Sequence, residues 1–386
     1  MIYLDYNATT PLDPRVGEAL QPYLADRFGN PSSLHQFGRT MRTAMDEARR
    51  ALATSIHAQP DELVFTSGAT EANNLALRGL AEARRARGRQ LITTTIEHPS
   101  VLGVCAALER DGFQVTHVPA DATGRVTVDA IAEAITSETT VIAVMAANNE
   151  VGTMQPVGAI GALARARGIA FHVDAAQAWG RMPVDVEAWQ ADTLTLSAHK
   201  AYGPKGVGAL YVRRGVELAP VLVGGHQEAG RRPGTENVPA IVGFGCAATL
   251  MRGQLAEDVA RMQRLRDHLL TGVQDRIEDT VLNGHPTERL CNTVNVRFAD
   301  VSGEALVMRL DLEGLAVSTG AACSSGRREP SHVLLAMGRS VEEAKQCVRF
   351  SLGRFTTEEE IQAVITVVER VVPALRTITV AHAARG

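Results

Sequence analysis

The sequence of 386 residues contains few lysines, few aromatic residues and no large excess of either charge. Only Lys200, Lys205 and Lys345 are lysines among 39 basic residues, so arginine supplies nearly all of the positive charge. A net charge of −4 provides no broad positive field for a nucleic-acid backbone or an anionic membrane, which argues against both as partners. Because arginine cannot form a Schiff base, each remaining lysine is a candidate for chemistry that needs an amine.

Long apolar runs and paired cysteines are also lacking. No run approaches the ~18 apolar residues of a membrane helix, and the N-terminus has no charged and apolar targeting pattern. The sequence therefore predicts a cytoplasmic protein that does not enter a membrane. The five cysteines are an odd number, and none forms a CxxC pair, which argues against a disulfide framework and a cysteine metal site. They are Cys105, Cys246, Cys291, Cys323 and Cys347.

Hydrophobic residues make up 45% of the sequence, which is enough for a large core, and the length suggests more than one packed unit. From residue 63 onward, short β-rich runs alternate with helical patterns, as in LVFT, LITTTI, FQVTHV, VIAVMAA, IAFHV and TLTLS. This order predicts an α/β fold with a mostly parallel sheet flanked by helices. A long helical pattern over about 237–276 leads to further strands and amphipathic helices. We expect a large domain over 13–250 and a small α+β domain formed by 1–12 and 251–386.

Polar residues follow four of the predicted strands: Glu97-His98, Asn148-Asn149-Glu150, Asp174 to Gln177, and Ala198-His199-Lys200. Ligands of parallel sheets bind beyond the carboxyl ends of the strands, so these residues are expected to share a site. Each taken alone also fits a turn, a cap or a buried polar residue.

Two glycine-containing segments resemble phosphate-binding motifs. The segment 66–71, TSGATE, follows a strand and opens a helix, where free backbone N–H groups favour a phosphate, although an ordinary helix start is the alternative. The segment 243–248, GFGCAA, fits a dinucleotide fingerprint, but it lies at the start of a long helical pattern without a βαβ unit. Close helix packing is therefore predicted for it.

A lysine, an aspartate, a histidine and a phosphate cradle at neighbouring strand ends suit pyridoxal phosphate. Lys200 would hold the aldehyde, and Asp174 would keep the pyridine nitrogen protonated, so that the ring accepts electrons from the substrate's α carbon. Lys205, in a Gly-Pro-Lys-Gly turn, is the weaker candidate for the aldehyde.

The sequence resembles the NifS/IscS-type cysteine desulfurases over nearly its whole length. The segments that carry the resemblance are DYNATTP (5–11), NPSS (30–33), TSGATEANN (66–74), EH (97–98), NNEVG (148–152), DAAQ (174–177), SAHKAYGPKG (197–206), RRPGTENVP (231–239), TGAACSSG (319–326), EPSHVL (329–334) and RFSLGRFTTEEEI (349–361). The resemblance implies a fold-type I, class V aminotransferase-like homodimer. It also implies that L-cysteine is converted to L-alanine, with the sulfur left as an enzyme persulfide.

The resemblance also assigns roles to individual residues. It implies Lys200 as the Schiff-base lysine, Asp174 as the pyridinium partner and His98 as the stacked residue that moves protons. For the other positions it implies Gln177 for the ring hydroxyl, Ala69 for the cofactor, and Thr70, Ser197 and His199 for its phosphate. It also implies Thr235 for the phosphate of the other subunit, and Asn149 and Arg349 for the substrate carboxylate. Arg354 is an alternative to Arg349.

Cys323 matches the persulfide-forming nucleophile of these enzymes. It lies among small residues with Arg327 and Arg328 close behind, a setting that favours motion and a thiolate, whereas the other four cysteines lie in apolar patterns. We therefore predict a desulfurase that supplies sulfur to an acceptor or iron-sulfur scaffold protein. A selenocysteine lyase, a small-substrate aminotransferase and a non-catalytic assembly protein are the alternatives.

Overall fold

The computed structural model describes residues 1–319 and 330–383, with side chains through residue 377. Within these ranges, strands occur at β1 (Ile2–Tyr3), β2 (Leu63–Thr66), β3 (Gln90–Thr94), β4 (Gln114–Val118), β5 (Thr139–Met145), β6 (Ala170–Asp174), β7 (Thr193–Ser197), β8 (Gly208–Val212), β9 (Thr280–Asn283), β10 (Thr293–Phe298), β11 (Leu315–Ala316) and β12 (Cys347–Ser351). Helices occur at α1 (Pro14–Leu20), α2 (Gln36–Ser55), α3 (Ala69–Ala83), α4 (Pro99–Arg110), α5 (Val128–Ala134), α6 (Val157–Ala166), α7 (Val238–Arg276), α8 (Gly303–Leu312), α9 (His332–Ala336), α10 (Val341–Lys345) and α11 (Glu358–Ala383).

Seven strands form the central sheet in the order β2-β8-β7-β6-β5-β3-β4. The five strands β3 to β7 are parallel, which confirms the predicted α/β fold. β8, which the sequence pattern did not reveal, runs antiparallel to both β2 and β7. The chain returns from β7 to β8 through a short turn, and a parallel pairing would have needed a long crossover connection.

Two further sheets lie outside the central one. β12, β10 and β9 form an antiparallel sheet, and β1 pairs with β11 in parallel. Their core includes Leu4 and the second half of α7, with Leu265 and Leu269, whereas Met251 in the first half of α7 packs in the core of the large sheet. α7 thus runs between two cores, and because it continues without a break through residue 250, the domain boundary there stays a prediction.

The glycine motif of α7 is used for helix packing, as predicted. A Cβ atom on Gly245 would lie 2.5 Å from Cα of Ala48 in α2, so only glycine permits this approach. The sequence predicts no segment apolar enough to cross a membrane. By length and composition alone, however, α7 is such a segment, with a mean hydropathy of 1.2 over 18 residues. Half of that window is buried inside the protein, and α7 packs against α1, α2 and α11, as the core helix of a folded protein does.

Candidate active site

The carboxyl ends of the parallel strands open into one cavity of about 510 Å³. Most of the predicted site residues line it: Ala69, Thr70, His98, Asn149, Asp174, Gln177, Ser197, His199, Lys200 and Arg349. Thr235 is exposed and does not line the cavity, and Cys323 lies outside the described residues. The four strand ends predicted from sequence therefore do share a site.

Lys200 ends the short 3₁₀ turn that follows β7. Its Nζ donates hydrogen bonds to the backbone oxygens of Asn7 at 2.6 Å and Ala8 at 2.8 Å. The amine is therefore held at the wall of the cavity by the N-terminal segment. Lys205 lies in the following turn and lines the same cavity.

Asp174 is the last residue of β6 and is only 6% exposed. Its Oδ1 accepts a hydrogen bond from the backbone N–H of Ala176 at 2.9 Å, and its Oδ2 accepts one from the Asn73 side chain at 2.8 Å. Two donors thus hold the carboxylate in a fixed orientation at the cavity wall, which suits a partner for a protonated ring nitrogen.

His98 caps the N-terminus of α4 with its imidazole. Nδ1 accepts the backbone N–H of Ser100 at 3.1 Å and lies 2.8 Å from the Ser100 hydroxyl. Burial lowers the pKa of His98; the Asp174 carboxylate opposes this shift, and Lys200 and His332 add to it. The surroundings therefore favour the neutral imidazole over the charged form.

The first turn of α3 contains the segment that the sequence predicts as a phosphate cradle. Its N-cap residue, Gly68, has φ of 153° and supplies no side-chain cap, whereas α4, α5 and α7 are each capped by a side chain. A Cβ on Gly68 would meet nothing within 4 Å, so glycine is needed here for its backbone conformation. Uncapped N–H groups at the positive end of a helix favour an anion.

His199 and Gln177 contact the N-terminal segment from two sides. His199 Nδ1 lies 3.1 Å from the Thr9 hydroxyl, and burial, with the nearby Lys200 and Lys205, lowers its pKa to about 4. Gln177 donates from Nε2 to the Asn7 oxygen at 2.9 Å and accepts from Arg181 at 2.9 Å. His199 can therefore donate or accept as a neutral ring.

The structure separates the two candidate arginines. Arg349 lines the cavity, donates to Asp5 at 2.6 Å and to the Asn149 oxygen at 2.9 Å, and has a buried Nε with no hydrogen-bond partner. Arg354 is outside the cavity lining and pairs with Asp13 at 3.1 Å and Asp258 at 2.7 Å. Only Arg349 is placed to meet a ligand in the cavity.

Sequence reasoning assigned no role to the segment 7–9, which forms one wall of the cavity. The Asn7 side chain donates to Thr293 at 2.9 Å and to the Asn149 oxygen at 3.0 Å, and it accepts from Asn292 at 3.0 Å. The segment thereby joins the strand ends to the small sheet. No local pattern reveals this, because the partners are far away in sequence.

Glu97, beside His98, is fully buried and keeps one oxygen without a partner. Burial raises its pKa to about 8, although hydrogen bonds from the Met145 backbone and the Thr94 hydroxyl act in the opposite direction. At neutral pH the carboxyl is therefore mostly protonated. It joins the ends of β3 and β5 below the His98 turn.

These residues fit pyridoxal phosphate. The cavity offers a lysine amine for the aldehyde, a buried carboxylate for the ring nitrogen and an uncapped helix start for the phosphate. Among residues 1–319 and 330–383, no group of three or more histidine, cysteine, aspartate or glutamate side chains is arranged to hold a metal ion.

Comparisons with known proteins agree with this geometry. The family described as aminotransferase class-V matches residues 2–364. Cysteine desulfurase IscS of Dictyoglomus turgidum is 47% identical over 98% of this chain and 96% of its own length, and that of Methanosarcina thermophila is 47% identical over 97% and 93%.

Solved structures give the same result. A NifS-like protein superposes with a TM-score of 0.91 and 36% identity, over 97% of this chain and all of its own. SspA in complex with cysteine superposes with a TM-score of 0.82 and 38% identity, over 92% of this chain and all of its own. The chain therefore belongs to the class-V aminotransferase family and, within it, to the cysteine desulfurases.

Proposed function

We propose that this protein converts L-cysteine to L-alanine with bound pyridoxal phosphate and transfers the sulfur to Cys323 as a persulfide. The observation that carries the proposal is that Lys200 and Asp174, at two neighbouring strand ends, line one cavity with Arg349 from the distant strand β12. When bound, pyridoxal phosphate supplies an acceptor for the electrons left on the substrate's α carbon. The relative solved in complex with cysteine supports cysteine as the substrate.

Each wall of the cavity has its own task in this reaction. Lys200 holds the cofactor before substrate arrives, and its amine or His98 then takes the α proton. Asp174 keeps the ring nitrogen protonated. Arg349, with Asn149 beside it, binds the substrate carboxylate, since a guanidinium offers paired N–H donors to a planar anion.

The sulfur transfer needs a thiolate, and the four described cysteines are poor candidates. Burial raises the pKa of Cys105 to about 12 and those of Cys291 and Cys347 to about 11, and it raises that of Cys246 as well. Cys323 is left as the nucleophile. Its sulfur bonds to the substrate sulfur, the substrate carbon-sulfur bond breaks, and that carbon takes up a proton to form the alanine methyl group.

The test is to assay alanine release and to map the added sulfur. We expect wild-type protein treated with cysteine to carry one extra sulfur atom on the Cys323 peptide, seen by mass spectrometry without reductant. Cys323→Ala should bind cofactor and release almost no alanine, whereas Cys246→Ala, a matched control, should behave as wild type. Wild-type rates in Cys323→Ala, or sulfur on another cysteine, would contradict the assignment.

Lys200 has a separate test, because loss of the amine acts before sulfur transfer. In wild-type protein, we expect a visible absorption band from the cofactor bound to the lysine, and borohydride should abolish it. This band would argue against a non-catalytic assembly protein. Lys200→Ala should lack the band. Parallel assays with cysteine and selenocysteine distinguish a desulfurase from a selenocysteine lyase. An aminotransferase would turn over without Cys323.

We also propose a homodimer in which Thr235 reaches the phosphate site of the second copy. The segment 222–236 and the segment 28–37 border one surface cleft, and both carry exposed apolar side chains, including Val223 and Leu34, each 90% exposed. A second copy covering them would remove this apolar surface from water. A cofactor-loaded, fully active monomer in light scattering would contradict the proposal.

The place in metabolism follows from the product. A persulfide is useful only to an acceptor, so we propose that the protein works in the cytoplasm and supplies an iron-sulfur scaffold or another sulfur-acceptor protein. The relatives named IscS support this proposal. Sulfur transfer from the treated enzyme to a purified scaffold tests it.

A further inference from the structure

A buried chain of polar side chains joins Asp174 to His98 through two residues that the proposed mechanism does not use. Asn73 in α3 is completely buried and Ser100 in α4 is 9% exposed. Asn73 Nδ2 lies 2.8 Å from Asp174 Oδ2 and 2.8 Å from Ser100 Oγ, and Ser100 Oγ lies 2.8 Å from His98 Nδ1. The carboxylate and the imidazole therefore belong to one hydrogen-bond network.

The direction of the bonds at His98 is fixed by a group that can only donate. The backbone N–H of Ser100 points at His98 Nδ1 from 3.1 Å, so Nδ1 must be the acceptor nitrogen. The Ser100 hydroxyl, at 2.8 Å, then donates to the same atom. A neutral imidazole whose Nδ1 accepts carries its proton on Nε2.

The direction at the other end is fixed by the carboxylate, which accepts. Because Asp174 Oδ2 is an acceptor, the Asn73 atom beside it must be the amide nitrogen, which donates one of its hydrogens to Asp174. The same nitrogen donates its second hydrogen to Ser100 Oγ. The Asn73 oxygen then accepts from His172 Nε2 at 3.0 Å, and His172 Nδ1 accepts from the Thr193 hydroxyl at 2.9 Å. The Ser100 hydroxyl accepts from Asn73, so its own hydrogen is available for His98. Both ends thus give the same assignment.

We propose that Asn73 and Ser100 are positioning residues that hold His98 as the Nε2–H tautomer, so that the imidazole faces the reacting atoms as a hydrogen-bond donor. Nε2 has no hydrogen-bond partner among the described residues, and His98 lines the cavity. Nε2 bears a proton in the neutral and the cationic imidazole alike, so His98 does not accept the α proton there. The proposal, which rests on the desulfurase function above, leaves the Lys200 amine as the base.

The first test reads the tautomer without any turnover. Holoenzyme labelled with ¹⁵N and ¹³C histidine is measured by NMR in the absence of substrate, with His98→Gln identifying the His98 resonances. We expect a protonated Nε2 and an unprotonated Nδ1 at neutral pH. A protonated Nδ1 with a bare Nε2 overturns the proposal.

The second test removes the hydroxyl donor. Ser100→Ala leaves one donor on Nδ1 instead of two, so the pKa of His98 should rise by about half to one pH unit. Ser100→Thr keeps a hydroxyl and should restore the wild-type value. The charged and titratable groups that face His98 are Asp174, Lys200 and His332, and none of them changes in this pair. An unchanged pKa in Ser100→Ala overturns the positioning role.

The third test addresses the link to Asp174. Asn73→Leu removes a donor from the carboxylate, so it should move both the pKa of His98 and the pH dependence of the cofactor's visible absorption. Asn74→Ala, on the same helix, is the matched control and should move neither, because its amide donates to the Thr70 backbone oxygen and not to Asp174 or Ser100. If Asn73→Leu moves neither, the link is wrong; if it does not fold, the Ser100 pair decides.

These outcomes are independent of the function itself. If wild-type protein releases no alanine from cysteine, the proposed function fails, while the NMR result still decides the tautomer. If alanine is released and Nε2 is bare, only the positioning role fails.

Discussion

Replacing Arg349 and Arg354 one at a time should separate substrate binding from structural stability. Arg349→Lys keeps the positive charge but loses the planar pair of donors that a carboxylate needs. A charge-assisted hydrogen bond is worth about 1.5 to 3 kcal/mol, so the apparent cysteine affinity should fall by roughly 10- to 150-fold. The cofactor's absorption should remain, since Arg349 contacts Asp5 and Asn149 rather than Lys200 or Asp174.

Arg354→Met should lower the stability of the fold and leave cysteine affinity unchanged. The side chain is 10% exposed, its guanidinium lies 4.5 Å from the Tyr202 ring centre, and it bonds Asp13 and Asp258. Loss of one partner of a buried ion pair costs about 3 to 5 kcal/mol. Asp13 keeps Arg15 at 2.7 Å, so we place the loss in the free energy of unfolding near the lower end, at about 3 kcal/mol, with cysteine affinity unchanged.

The assays are cysteine-dependent alanine release for the apparent affinity and urea unfolding, at one protein concentration, for stability. The reasoning is refuted if Arg354→Met weakens cysteine affinity tenfold or more while Arg349→Lys leaves it unchanged. In that case Arg354 would bind the carboxylate, and the contacts that place it outside the cavity would be wrong.

Three further changes test the cradle, a buried ion pair and a buried histidine. Gly68→Ala forces a residue with a Cβ to adopt φ of 153°, which costs about 1 to 3 kcal/mol. Cofactor binding, measured by fluorescence titration, should weaken by roughly 5- to 150-fold. Gly103→Ala, whose Cβ would lie in open space on α4, is the control and should not weaken it. Glu228→Gln breaks the bidentate pair with Arg49 and should cost about 3 kcal/mol in urea unfolding; no change would mean that the pair is not needed. Burial lowers the pKa of His172 from 6.5 to about 4 in the folded protein. As the pH falls below 6.5, this histidine therefore becomes protonated in the unfolded chain before it does in the folded protein. Stability should be complete above pH 6.5 and fall by up to about 1.4 kcal/mol per pH unit toward pH 4, a slope that His172→Gln should reduce.

The central sheet was predictable because its strands and helices differ in local pattern. Runs such as those of β5 and β7 are short and rich in aliphatic and β-branched residues, and they are followed by polar residues at the strand ends. β8 carries a similar run but follows no helix, so its antiparallel direction depends on a short turn rather than on composition. The second half of α7 could not be assigned to a core from its own pattern, since each half packs against a different sheet.

Sequence by itself determined the chemical inventory: a chain almost without lysine that keeps Lys200, an aspartate at the end of β6 and a glycine-containing helix start after β2. Tertiary structure alone decided which of these groups face one another. Arg349 and Arg354 belong to one motif, yet only one lines the cavity, because β12 pairs with β10 and directs the Arg349 side chain toward Asp5 and Asn149. Asn73 belongs to the TSGATEANN segment, yet neither it nor Ser100 was assigned a role, because hydrogen bonds between residues far apart in the chain leave no periodic pattern in the sequence.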